Sequence, residues 1–159
     1  MTSHSGDKGF SIWLGGKRLS KDNSIFEAIG TLDELSSLLG LVRVVSYKSP
    51  LDFVQIQKDL AKIMAEIAGF GGEKLLSSDV EFLESITDEY KKKAGKINKF
   101  LIPGKNKKEA VANLARAVCR RAERRLVTLK CQQRVSPLIL TYLNRLSLLL
   151  FYWAVILSK

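Results

Sequence analysis

Apolar residues recur at three- and four-residue spacing in five separate segments of this chain, a period that commits it to amphipathic helices rather than strands. The stripes are Phe26, Ile29, Leu35, Leu38 and Leu39; Phe53, Ile56, Leu60, Ile63 and Ile67; Val80, Leu83, Ile86 and Tyr90; Val111, Leu114, Val118 and Ala122; and Leu140, Leu143, Leu150 and Trp153. Each has a start signal ahead of it. Ser49-Pro50 and Ser136-Pro137 pair an N-cap with proline at the first helical position. Ser24-x-x-Glu27, Ser78-x-x-Glu81 and Asn106-x-x-Glu109 have the spacing of a capping box, in which side chains satisfy the free N–H groups of the first turn. The remaining proline, Pro103, falls in a connecting loop, so no helix interior is interrupted. The expected fold is all-α, a five-helix up-and-down bundle.

The breakers between helices, chiefly Gly69 to Glu73 and Ala94 to Asn106, are short, and 159 residues at 46% hydrophobic suffice for one core. Residues 1–159 therefore read as a single domain, with 1–22 as a leader and 23–159 as the bundle. The leader differs in kind: Ser5-Gly6-Asp7-Lys8-Gly9 and Gly15-Gly16-Lys17-Arg18 are basic and rich in turn formers, with Trp13 between them, as in a functional loop carried on a helical scaffold. Leu138 to Leu157 is the most lipid-like stretch, but Asn144 and Arg145 leave an uninterrupted apolar piece too short for a hydrocarbon core of about 30 Å, so a buried helix and no membrane partner are expected. Met1 to Gly9 contain no apolar signal region, and the expected compartment is the reducing cytoplasm.

Charge and scarcity narrow the chemistry. Twenty-six Lys and Arg against 16 Asp and Glu give a net charge of +10, which suits an acidic partner: nucleic acid, polyphosphate or anionic membrane. His4 is the only histidine, and Cys119 and Cys131 are the only cysteines. A Ser-His-Asp triad, a structural zinc cluster and a disulfide scaffold all lack their residues, and no protein metal site is expected.

Three constellations carry chemistry. Ser3-His4-Ser5-Gly6-Asp7-Lys8-Gly9-Phe10-Ser11 offers hydroxyls, glycine N–H groups and a lysine, the donors and counter-charge a polyphosphate needs, without the spacing of a Walker A loop. On the fourth helix, Arg116, Arg120 and Glu123 share one face at about 100° per residue with Arg124 just beyond, and Val111, Leu114, Val118 and Ala122 lie opposite. A carboxylate three residues from Arg120 can fix its guanidinium fork for bidentate anion contact. Asn144-Arg145-Leu146-Ser147 puts polar groups into the apolar last helix, where an amide facing the core must find partners or cost about 1–3 kcal/mol. Cys119 borders the apolar face as a small core residue.

In order along nearly the whole chain, Ser3 to Ser11, Gly16 to Lys21, Gly30 to Gly40, Phe100-Leu-Ile-Pro-Gly104, Arg116 to Arg125 and Asn144 to Ser147 resemble the PduO-type ATP:cob(I)alamin adenosyltransferases. The resemblance implies transfer of the 5′-deoxyadenosyl group of ATP to cobalt, with Mg²⁺ accompanying ATP, and a homotrimer whose sites lie between subunits. It further implies that Ser3, His4, Ser5, Gly6, Ser11, Ile12 and Lys21 hold the nucleotide's phosphates, that Asp7 and Lys8 belong to the same cofactor-binding loop, and that Arg120, Arg121, Ala122, Glu123, Arg124 and Asn144 complete its pocket. Phe100 matches the aromatic that closes the lower face of the corrin, and Asp33 and Arg116 match an intersubunit salt bridge. A flavoprotein reductant and an adenosylcobalamin-dependent acceptor enzyme are implied as partners. The chain departs from the family at Asn113, where His is frequent, and at Leu148, where Asp commonly follows Asn-Arg-Leu-Ser. Two other readings share the residues: a basic helical bundle that binds nucleic acid through Arg116 to Arg125 and Lys105 to Lys108, and a catalytically weak chaperone or sensor of ATP or adenosylcobalamin.

Overall fold

The computed structural model describes residues 6–46, 51–98 and 101–159. Five helices follow a short hairpin: β1 (Phe10–Ile12) and β2 (Arg18–Ser20), then α1 (Ser24–Val45), α2 (Phe53–Ala68), α3 (Ser77–Ala94), α4 (Lys107–Lys130) and α5 (Pro137–Leu157). The all-α, five-helix reading holds, and the helices pack in the order α2, α1, α4, α5, α3. Hydrogen bonds between ends confirm the up-and-down course. Ser24 Oγ at the start of α1 donates to Gln132 Oε1 just past α4 at 2.5 Å, and Asn106 Nδ2 just before α4 donates to the Leu157 carbonyl of α5 at 2.7 Å.

Two of the five starts use the expected residues. Asn106 Oδ1 accepts from the N–H of Glu109 at 3.0 Å, and Ser136 Oγ accepts from that of Leu138 at 3.3 Å with Pro137 at the first position. The others shift. Asn23, not Ser24, caps α1 through Ile25 N–H at 3.0 Å, which leaves Glu27 to pair with Arg125 on α4. Asp52 caps α2 through Gln55 N–H at 3.0 Å; Ser49 and Pro50 lie outside the described residues. At α3 the cap is Leu76, two residues before the expected Ser78, and the Asp79 carboxylate accepts from Leu76 N–H at 2.8 Å. A carboxylate suits this position because the helix dipole leaves positive potential there.

The described part of the leader contains a hairpin, which periodicity did not reveal because each strand is only three residues long. Its strands pair antiparallel with Phe10 opposite Ser20 and Ile12 opposite Arg18. Gly15 and Gly16 turn the chain at φ 71° and 77°, a left-handed conformation that side chains disfavour. Trp13 then docks the hairpin edge-on against Phe26 of α1, ring centroids 5.3 Å apart.

The core runs the length of the bundle. Leu32, Leu35 and Leu39 of α1, Leu60 and Ile63 of α2, and Leu143, Leu146, Leu149 and Leu150 of α5 are fully buried. Leu114 departs from the expectation: it is 52% exposed, because the inward face of α4 runs through Ala112, Ala115, Cys119 and Ala122 instead. By length and composition α5 is apolar enough to cross a bilayer, since the helix extends well before Leu146, but in this fold it is the central core helix between α3 and α4. Phe53 and Trp153, 5.0 Å apart, tie α2 to α5, as does Tyr142 Oη donating to Asp59 Oδ2 at 2.9 Å. Burial and the Asp59 carboxylate hold that phenol far above its usual range, which keeps it a donor to Asp59 at neutral pH.

Cys119 is fully buried, its Sγ donating to the Leu143 carbonyl at 3.3 Å, and burial pushes its thiol far up while Cys131 is exposed. Since the thiolate is the reactive form, a disulfide-exchange reagent at pH 8 is expected to titrate one thiol rapidly in the native protein and the second only on unfolding. Two equally fast thiols would contradict this packing.

Candidate functional site

The expected site residues fall into three regions of one chain. The first is the hairpin. Gly6 lies against Lys21, whose Nζ would come 3.2 Å from a β-carbon at position 6, so the glycine makes room for the lysine. Lys21 N–H also donates to the Gly9 carbonyl at 2.8 Å, which closes the base of the hairpin. Asp7, Lys8 and Ile12 are exposed and Ser11 is half-buried. Ser3, His4 and Ser5 lie outside the described residues.

The second region is the polar surface of α4, which divides in two. Toward α1, Arg121 pairs with Glu34, and Arg125 Nη2 reaches Glu27 Oε2 at 3.3 Å, beside a groove of about 430 Å³ lined also by Phe26, Gly30 and Thr31. The hairpin's Trp13 rests on that same Phe26. Toward α5, Asn144 Nδ2 donates to Glu123 Oε1 at 3.3 Å, Arg145 Nη1 donates to Asn144 Oδ1 at 2.9 Å, and Arg145 Nε donates to Glu84 Oε1 of α3 at 2.6 Å. Asn144 is thus exposed rather than core-facing, because the neighbouring inward positions belong to Leu143 and Leu146. Arg120 and Arg124 are exposed beside this network, while the Ala122 side chain is sealed in the core.

The third region is a cavity of about 1170 Å³ where α3 and α5 end and α4 begins. Its walls combine Leu101, Ile102 and Pro103 of the loop before α4 with Phe151, Ala154 and Val155 of α5, and Arg116 and Asn113 reach it from α4. Phe100 is outside the described residues, but its chain neighbour Leu101 is on the wall. Arg116 Nε donates to Asn113 Oδ1 at 3.2 Å, and Asn113 Nδ2 donates to Glu109 Oε1. Asp33, its expected partner, is exposed on α1.

Several participants escaped the sequence reading. Glu109 was assigned to a capping box, yet its Oε2 accepts from the N–H groups of Gly104 at 2.7 Å and Lys105 at 3.0 Å. Glu84, Glu34 and Glu27 act on residues 61, 87 and 98 positions away, and no local spacing signals such pairs (145 − 84, 121 − 34 and 125 − 27). Leu148, where the resemblance led us to expect a carboxylate, is 37% exposed on α5 one residue from buried Ser147. Among the described residues no three His, Cys, Asp or Glu side chains converge to hold a metal ion.

These placements separate what charge alone leaves mixed. Arg121 and Arg125 are neutralised by α1 carboxylates, which breaks the continuous basic stripe a nucleic-acid backbone would need. Polar groups that could seat a nucleotide lie along the middle of α4 and on the hairpin, and the apolar cavity for a bulky ligand lies at the α4 start. The Arg145–Glu84 pair is partly exposed on both sides, so Glu84→Ala is expected to lower the unfolding free energy by less than about 1 kcal/mol in a urea titration. A loss beyond about 2 kcal/mol would mean the network stabilises the bundle rather than orienting surface groups.

Residues 1–157 match the family described as cobalamin adenosyltransferase. A corrinoid adenosyltransferase of Bacillus subtilis is 37% identical over 152 residues, covering 89% of this chain and 78% of that protein. One from Citrobacter freundii is 33% identical over 160 residues, covering 96% and 91%. Among solved structures, a variant of the PduO-type ATP:corrinoid adenosyltransferase from Lactobacillus reuteri, complexed with cobalamin and ATP, superposes with a TM-score of 0.87 at 26% identity, covering 97% of this chain and 91% of that one.

Proposed function

This chain belongs to the cobalamin adenosyltransferase family, and from that premise we propose how its residues divide the work of transferring the 5′-deoxyadenosyl group of ATP to the cobalt of cob(I)alamin. The electron pair of Co(I) forms the cobalt–carbon bond at C5′, the C5′–O bond breaks, and its electrons leave with triphosphate. Charge develops on the leaving group, so the largest contribution comes from fixed donors and cations around the phosphates. The second comes from holding C5′ in line with the metal.

The observation that carries the assignment is the guanidinium face of α4 standing between two other parts, with the hairpin toward α1 and the apolar cavity at the helix start. Arg120 and Arg124, with Lys21 and the hairpin N–H groups, take the triphosphate. Glu123 orients Asn144, whose amide seats the nucleoside. The cavity takes the corrin, and Phe100, which lies outside the described residues, is assigned by resemblance alone to closing the lower face against a ligating water. Mg²⁺ enters as the counter-ion of the phosphates, since such ions are usually held by one or two carboxylates plus the nucleotide rather than by an all-protein cage.

A single copy rests its hairpin on α1 while Asn144 and Arg145 connect α4, α5 and α3. We infer, with the family resemblance as support, that the complete site is shared: the hairpin of one copy meets the α4–α5 face of the next, and exposed Asp33 pairs with Arg116 across that boundary. A closed ring of three satisfies such a head-to-tail contact without leaving an open filament.

Incubation of the protein with ATP, Mg²⁺ and chemically reduced cobalamin is expected to give the adenosylcobalamin spectrum and triphosphate. Arg120→Ala is expected to lower kcat/KM for ATP by about 100-fold, the loss of a charge-assisted contact to the leaving group, with an unfolding midpoint near wild type. ATP bound without product would point instead to a sensor. An Arg120→Ala enzyme with wild-type kinetics would contradict the role given to that residue.

A further inference from the structure

Glu109 is 2% exposed, and its buried carboxylate is held by three donors: the N–H groups of Gly104 and Lys105 on one oxygen and the Asn113 amide on the other. Burying a carboxylate is costly unless every lone pair that loses water is met by a donor. The helix start does not need it, because Asn106 already caps α4 through Glu109 N–H at 3.0 Å. A capping-box carboxylate returns to the N–H of the cap residue, whereas this one reaches past Asn106 to the turn after Pro103. That turn is tight: Gly104 has φ +111°, a conformation reserved in practice for glycine.

Through Asn113 the same carboxylate is joined to Arg116. A neutral amide both donates to Glu109 and accepts from Arg116 Nε at 3.2 Å, so the loop wall and the helix wall of the 1170 Å³ cavity are fixed relative to each other by one hydrogen-bonded chain. On the loop, Ile102 lines that cavity and is 82% exposed, an apolar side chain with nothing yet covering it. We propose that Glu109 is a positioning residue for the corrinoid: it locks the 101–105 turn against Arg116, and so sets where Ile102 meets the ring. This inference rests on the reading of the cavity as the corrin site, and it concerns no contact between Glu109 and either substrate.

The test compares wild type, Glu109→Ala, Ile102→Ala and the double variant, with cob(I)alamin and ATP varied separately and amide exchange followed at Gly104 and Lys105. Glu109→Ala is expected to speed exchange at those two amides and to raise KM for cob(I)alamin about tenfold, while KM for ATP moves less than about twofold. Ile102→Ala is expected to weaken corrinoid use in the wild-type background and to add nothing in the Glu109→Ala background, the coupling that two parts of one device show. If Glu109→Ala fails to fold, Glu109→Gln keeps the shape and one acceptor, and an intermediate rise in corrinoid KM is expected. An unchanged corrinoid KM in a folded Glu109 variant, equal rises in both KM values, or multiplicative effects of the two substitutions would overturn the proposal. Inactive wild type would instead overturn the corrinoid reading, and this inference with it.

Discussion

Small side chains on one face of α4 make the rest of the molecule possible. Ala112, Ala115, Cys119 and Ala122 are fully buried, and their size lets α1 and α5 close on the helix from two sides. Interiors are packed as tightly as organic crystals, so a larger residue there would push both neighbours outward. With the inward face committed to alanine and cysteine, polar positions between them must point to the seams. That is why Arg121 and Arg125 meet α1 carboxylates, Glu123 meets Asn144 of α5, and Arg116 is directed toward the cavity. The same helix therefore sets the core and spaces the functional groups.

Positive charge in this protein is organised rather than merely abundant. Part of it is neutralised by long-range pairs, and part serves helix ends, as when Lys159 Nζ donates to the Ala94 carbonyl at 2.9 Å. Arg120 and Arg124 of α4 stay exposed beside the Glu123 carboxylate and the Asn144 amide, the surface proposed for the triphosphate. The apolar cavity stands apart, at the start of α4, where the ends of three elements cannot fill the space between them. A reaction between a highly charged nucleotide and a large flat corrin calls for such a division of surfaces.

Much of this was legible in the residues. Helical period and capping residues located five helices, and Asn106, Ser136 and Pro137 cap as expected because their partners are only two or three positions away. The start of α1 moved by one residue and that of α3 by two, where a competing side chain, Asn23 or Asp79, had better geometry. The site was legible in part. The guanidinium face follows from helix geometry, but Glu84 with Arg145 and Glu34 with Arg121 are tertiary pairs that depend on which helices are neighbours. Leu114 went astray for a related reason: a helix with two buried flanks follows its alanines, and hydrophobicity alone chose the larger side chain.

Mixing variants tests most directly whether one site is assembled, as proposed, from the surfaces of two copies. Arg120→Ala and Lys21→Ala, each expected to be strongly impaired alone, would be unfolded together, refolded together and assayed for adenosylcobalamin formation. Random assembly leaves about a quarter of the junctions with both surfaces intact, and about a quarter of wild-type activity is the result the account predicts. Co-assembled variants that recover no activity would contradict it, and would place the complete site within a single chain.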